Sequence, residues 1–216
     1  MKKKLAIFDF DDTLFRGQSH VMFNDYLQQQ MLNPLEVYGK KLRKRIFLFR
    51  YKTDRELKES TLRFYKGTSK IKLTKFSNKF YEEVILKRIN KVVSDKLIEH
   101  SKNSYEIIII SGAYNIYLNF LNDTFPIDHI ICTQLKFDKN KFSGKIDGEE
   151  CLGQNKVEKI KEVLRNDQID WDNSFVYSDH NTDMPLFDMV GNKVVVDFCQ
   201  KLDWVDKSFI KLSLHH

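Results

Sequence analysis

The stretch Leu5-Ala6-Ile7-Phe8-Asp9-Phe10-Asp11-Asp12-Thr13 decides the fold of this 216-residue chain. Its unbroken apolar start reads as a strand buried on both faces, because a strand with one wet face would alternate. The run then ends in Asp9, Asp11 and Asp12. In open α/β sheets, ligands bind at the carboxyl ends of the strands. Like charges crowded there repel, and burial penalises each of them. A divalent cation relieves both costs, and an all-oxygen donor set suits Mg²⁺.

The same pattern recurs downstream. Glu106 to Ile110 contains four consecutive isoleucines, and His129–Thr133, Phe175–Tyr177 and Lys193–Val196 are further short apolar runs. Helical stretches are predicted between them over Ala113–Asn122, Lys156–Arg165 and Asp183–Met189. Strands alternating with helices define an α/β class with a Rossmann-like parallel sheet and helices on both faces. Lys136 to Gly148 breaks the alternation and reads as a β-hairpin.

Between the first two strands the strand signal disappears. Helices are predicted over Ser19–Met31, through Leu35, Tyr38, Leu42 and Phe49, from Thr53 (with Glu56 completing a capping box), over Thr74–Lys87 and over Val92–Lys102. Charge changes at the same borders. Residues 16–102 hold 21 Lys and Arg against 9 Asp and Glu, while the rest holds 15 against 21. The net +6 of the chain is therefore the difference between a basic body and an acidic one. The expected organisation is a core of residues 1–15 and 103–216, with a helical cap domain of residues 16–102 inserted after the first strand.

A composition of 42% hydrophobic and 31% charged residues excludes a disordered chain, and 8 Gly with 3 Pro exclude collagen-like and Pro-rich classes. Cys132, Cys151 and Cys199 have neither zinc nor disulfide spacing, which fits idle thiols in a reducing, cytoplasmic compartment. No apolar run reaches the roughly 18 residues of a membrane span. The Lys2–Lys4 start followed by Leu5–Phe8 resembles a secretory leader only until Asp9 interrupts it.

Three more clusters bear on chemistry. Ser111-Gly112 follows the isoleucine strand and is expected to open a helix, offering a hydroxyl and main-chain N–H groups to an anion. Lys156 stands near a helix start, where a cation is disfavoured unless an anion is close. Phe175-Val176-Tyr177-Ser178-Asp179-His180-Asn181-Thr182-Asp183 again ends a buried strand in carboxylates. His180 is expected at the surface.

In that order, these clusters resemble the signature of the haloacid dehalogenase-like phosphohydrolases. The sequence Asp9-Phe10-Asp11-Asp12-Thr13 fits the family's Asp-x-Asp-x-Thr, and Ser111, Lys156 and the Asp179/Asp183 pair fit its later motifs. The helical insertion is similar to the helical C1 cap of the phosphoserine-phosphatase-like subgroup, subfamily IB. The resemblance implies a Mg²⁺-dependent phosphatase working through an aspartyl-phosphate. Asp9 is then the nucleophile and Asp11 the acid and base, its pKa raised by neighbouring carboxylates. Ser111, Gly112 and Lys156 bind phosphate. Asp9, Asp179 and the Asp11 main-chain carbonyl hold the metal. Asp183 supports Lys156, which bridges to it or to the nucleophile.

Two positions depart from the subgroup. Gln18 stands where phosphoserine phosphatases carry a Glu that reads the substrate's amino group, which argues against phosphoserine. Thr182 replaces an Asn before the last Asp. Substrate choice then falls to the basic cap, whose densest segment is Lys40 to Lys52, with Phe47, Phe49 and Tyr51 interleaved. The expected partners are a small phosphorylated metabolite or a lipid phosphate, with peripheral contact to an anionic membrane as a further role. Phosphoryl transfer to an alcohol, or a nucleic-acid or membrane-surface binding module, are the alternatives. No nucleic-acid motif is present, so nucleic acid is not an expected partner.

Overall fold

The computed structural model describes residues 2–31, 53–197 and 202–213. Seven strands form one sheet, β1 Leu5–Phe8, β2 Glu106–Tyr114, β3 His129–Asp138, β4 Lys141–Asp147, β5 Phe175–Ser178, β6 Asn192–Asp197 and β7 Phe209–Ser213, in the order β4-β3-β2-β1-β5-β6-β7. All neighbours are parallel except the β3–β4 hairpin. The chain winds outward from β1 in both directions, so the switch point of the sheet lies between β1 and β5.

Period-2 alternation explains the unbroken apolar runs. Leu5 and Ile7 of β1, with Ile108 and Ile110 of β2, belong to one core. Ala6 and Phe8, with Ile107 and Ile109, belong to the other. Each strand therefore buries both faces. The first core is closed by Val157 and Ile160 of the helix Gln154–Val163. The second runs into the helical insert through Phe23, Phe80, Val93 and Leu97.

The described insert consists of helices α1 Ser19–Met31, α2 Asp54–Leu62, α3 Lys70–Phe80 and α4 Lys91–Lys102. Thr53 caps α2 with the reciprocal Glu56 contact that the sequence predicts. The helix α3 starts four residues before the expected Thr74 because Ser69 caps it, accepting from Lys72 N–H at 3.3 Å. It ends in a π turn, Tyr81–Ile85, and a 3₁₀ turn, Leu86–Arg88. The expected helix through Leu35 to Phe49 and the basic segment Lys40–Lys52 lie outside the described residues, as does Cys199.

Three expectations need correction. The helix expected over Ala113–Asn122 does not begin there. Strand β2 continues to Tyr114, pairing with Thr133 across a register shift. Only the four-residue helix α5 Asn115–Leu118 and a 3₁₀ turn follow. The helix expected over Asp183–Met189 is a 3₁₀ turn, Asn181–Asp183, followed by the single turn α7 Met184–Phe187. It follows α6, Gln154–Val163. Strand β7 was not among the expected strands.

Candidate active site

Five carboxylates and a lysine come from separate parts of the chain. Asp9 leaves β1 with its N–H bonded to the Tyr177 carbonyl of β5 at 2.9 Å, which ties the two strand ends across the switch point. Asp12 takes a left-handed backbone (φ 53°) and turns the chain outward. Its carboxylate accepts from Gly17 N–H at 2.9 Å and from the Gln18 side-chain amide at 2.6 Å. Gln18 is thus engaged in fixing the turn after the acidic motif, a use for this residue that the sequence did not signal.

Lys156, the third residue of α6, is only 3% exposed. Its ammonium reaches Asp9 Oδ1 at 2.9 Å and Asp183 Oδ2 at 2.7 Å. Burial disfavours the charge, but the two carboxylates outweigh it and hold the ammonium above the ordinary lysine range. Burial also raises Asp9, to about 6, against the pull of Lys156 and with a smaller push from Asp183. Asp183 accepts a further bond from Ser178 Oγ at 2.7 Å, and Asp179 accepts one from Thr13 Oγ1 at 3.2 Å.

Asp11 points toward the insert. Ser19 N–H, at the start of α1, donates to Asp11 Oδ1 at 2.8 Å. Its pKa is raised to about 7, mainly by burial, with the Asp9 and Asp12 charges adding to it and the Ser19 bonds opposing. The expected cause was the neighbouring carboxylates, and they are the lesser contribution. The corrected course of β2 also changes the reading of Ser111-Gly112. No long helix begins there, so a helix dipole contributes little. What remains is a buried hydroxyl beside a bare main chain. A Cβ on Gly112 would lie 2.6 Å from Leu152 Cδ2.

These groups share one cavity of about 420 Å³. Asp9, Asp11, Ser111, Gly112, Lys156, Asp179 and Asp183 line its floor, and His20, Asp54, Leu57 and Lys58 of the insert line it from the other side. His180 also lines it, exposed, with its ring 3.0 Å from Thr182 Oγ1. Lys58 is held by Glu150 at 2.6 Å. The sequence reading passed over Ser19, His20 and Lys58. A serine at a helix start and charges on a helix face have ordinary structural uses, and nothing local sets these apart.

The donor set fits a hard divalent cation. Four carboxylates surround the cavity floor, against Lys156 there and Lys58 above. Asp183 Oδ1 is buried without a hydrogen-bond partner among the described residues, and a metal-bound water would satisfy it. Among the described residues no group of three or more carboxylate, imidazole or thiol side chains is disposed to hold a metal ion by itself. An open set with few side-chain ligands is what Mg²⁺ takes, since it keeps several waters.

Carboxylates that follow two adjacent strands are thus bridged by one buried lysine. Residues 6–188 match the family described as haloacid dehalogenase-like hydrolase, and the chain belongs to it. It is similar to the phosphoserine-phosphatase-like members. It is 26% identical over 203 residues to a phosphoserine phosphatase of Methanocaldococcus jannaschii, covering 93% of this chain and 87% of that protein. It is 25% identical over 203 residues to a histidinol-phosphatase of Neisseria meningitidis, covering 90% of each. Among solved structures, a Bordetella pertussis protein of unknown function superposes with TM-score 0.78 at 20% identity, covering 91% of each chain. A phospho-aspartyl intermediate analogue of phosphoserine phosphatase superposes with TM-score 0.62 at 19% identity, covering 91% of this chain and 87% of that one.

Proposed function

We propose that this hydrolase is a Mg²⁺-dependent phosphomonoesterase, acting on a small phosphorylated molecule through an aspartyl-phosphate on Asp9. The observation that carries this reading is the buried Asp9–Lys156–Asp183 bridge beside Asp11 and Asp179, in one cavity. The Asp9 carboxylate attacks phosphorus, forming an acyl-phosphate as the ester oxygen departs. Asp11 gives that oxygen a proton, then takes one from the water that cleaves the acyl-phosphate. Lys156, Ser111 and the Gly112 main chain hold the phosphoryl oxygens, and Asp183 fixes Lys156. Asp9, Asp179 and the Asp11 carbonyl would hold Mg²⁺, which supplies charge neutralisation between carboxylate and phosphate.

The domain division follows the same reading. Residues 16–102 act as the cap, and residues 1–15 with 103–216 as the catalytic core. The cavity wall contributed by His20, Asp54, Leu57 and Lys58 supports selection of a small leaving group by the cap. The relatives' names point the same way, one to phosphoserine and the other to histidinol phosphate. Gln18, bound to Asp12, leaves phosphoserine without the usual carboxylate at that position. A cytoplasmic setting fits the buried free thiols of Cys132 and Cys151.

A panel of phosphomonoesters assayed for phosphate release with Mg²⁺ tests the reading. Turnover should vanish with EDTA, return with Mg²⁺, and fall at least about 1,000-fold in Asp9→Asn. Asp9→Asn turning over normally would end it. Added alcohols that suppress phosphate release while substrate is still consumed would convert the assignment to a phosphotransferase.

A further inference from the structure

The acid and base assigned to Asp11 must face the leaving oxygen, and its side chain has rotamers that do not. What holds it lies behind the cavity. Tyr117 of α5 and Ser19 of α1 are both fully buried. Tyr114 N–H donates to the Tyr117 hydroxyl at 3.1 Å. The Tyr117 and Ser19 hydroxyl oxygens are 2.8 Å apart. Ser19 N–H donates to Asp11 Oδ1 at 2.8 Å. Each hydroxyl has one proton to give. The Tyr117–Ser19 bond, in which either oxygen can be the donor, pins the start of α1, whose Ser19 main-chain N–H is the bond that reaches Asp11. The Tyr117 ring is fixed in turn by Phe23 and Phe80 of the insert, at centroid distances of 4.9 and 5.4 Å.

We propose that Tyr117 and Ser19 are positioning residues for Asp11, a buried hydroxyl pair that orients the carboxyl toward the leaving oxygen and makes its aim depend on packing between insert and core. The proposal rests on the reading of Asp11 as the acid. Such residues touch neither substrate nor metal. Their loss should therefore slow the step in which the leaving oxygen is protonated, and leave substrate binding alone.

The test compares p-nitrophenyl phosphate, whose leaving group needs little protonation, with phenyl phosphate, whose leaving group needs it. Release of the phenol is followed in a single turnover with enzyme in excess. Tyr117→Phe and Ser19→Ala should each slow phenyl phosphate about tenfold while changing p-nitrophenyl phosphate less than about twofold, with the half-saturating enzyme concentration unchanged. The double variant should be no slower than Ser19→Ala, because one chain of bonds is cut twice. Ser19→Thr, which keeps the hydroxyl, should restore the rate, and it carries the test if Tyr117→Phe does not fold. Equal slowing of both substrates, or no slowing, overturns the proposal. Asp11→Asn separates the two readings. If that variant shows the leaving-group dependence and the hydroxyl variants do not, the positioning pair falls and the acid stands. If Asp11→Asn shows none, both fall.

Discussion

Lys156 carries more of the site than any other single side chain. Both its partners are buried, and removing one member of a buried ion pair leaves uncompensated charge. Lys156→Met should therefore destabilise the fold by about 3 kcal/mol or more, read as a lowered urea midpoint. Mg²⁺ should recover part of that loss in a thermal melt, because a cation binding only the folded state stabilises it. Asp179→Asn should weaken the Mg²⁺ effect on Tm in the otherwise unchanged chain. His20 gives a second residue-scale prediction. Burial, then the Lys58 charge, lower its pKa to about 4, against an opposing Asp54. The Tyr114 ring also faces it, with centroids 6.4 Å apart. A histidine whose folded pKa lies below its unfolded value resists protonation in the folded state. Its contribution is complete above pH 6.5 and is lost as pH falls toward 4. Asp9 and Asp11, with raised pKa values, act in the opposite sense over the same range. The stability of the wild type relative to His20→Gln is therefore the quantity to follow, and by chemical denaturation it should fall by about 3 kcal/mol across that window.

At the scale of elements, the insert is fastened to the β3–β4 hairpin. Gly67 N–H donates to the Phe142 carbonyl at 2.8 Å, Phe142 N–H to the Thr68 carbonyl at 2.9 Å, and Lys70 N–H to the Asn140 carbonyl at 2.8 Å. Arg55 reaches the Gly148 carbonyl at 2.8 Å, and Glu59 accepts from Ile146 N–H at 3.2 Å. Gly144 sits at this seam with φ 79°, and a Cβ there would lie 3.1 Å from Arg63 Cα. Gly144→Ala should cost about 1–3 kcal/mol, with amide exchange quickening first in α2.

Much of this level was legible in the sequence. Residues 5–8 and 107–110 are apolar on every position because both faces are covered, and the Thr53–Glu56 box is set by local chemistry. The extension of β2 through Gly112 to Tyr114 was not legible, because pairing with Thr133 of β3 overrides the local helical pattern. Strand β7 is not legible because it is a five-residue edge strand that is largely exposed and shows no alternating burial. At the site, Asp9, Asp11 and Asp179 stand out because carboxylates after a buried strand are costly. Ser19 and Tyr117 do not, since their meaning exists only once α1 and α5 are packed.

At the scale of the whole molecule, two cores lie on opposite faces of one sheet, and the aromatic one is continuous with the insert through Phe23, Phe80 and Tyr117. The cavity floor belongs to strand ends and its roof to helices of the insert. The Lys58–Glu150 pair, 14% and 11% exposed, is one place where they meet.

The main-chain bonds from Gly67–Lys70 to β4 have a consequence for solubility. Strand β4 ends the sheet, and an uncovered strand edge is a template for pairing between molecules. Here the outward N–H groups of Phe142 and Ile146 and the Phe142 carbonyl are taken by the insert. The segment that roofs the cavity also guards the sheet against self-association. Excision of residues 16–102 with a short Gly-Ser bridge should therefore yield a protein that elutes as oligomers and scatters light on standing. A monomeric, clear solution of that shortened chain would show that the edge needs no guard.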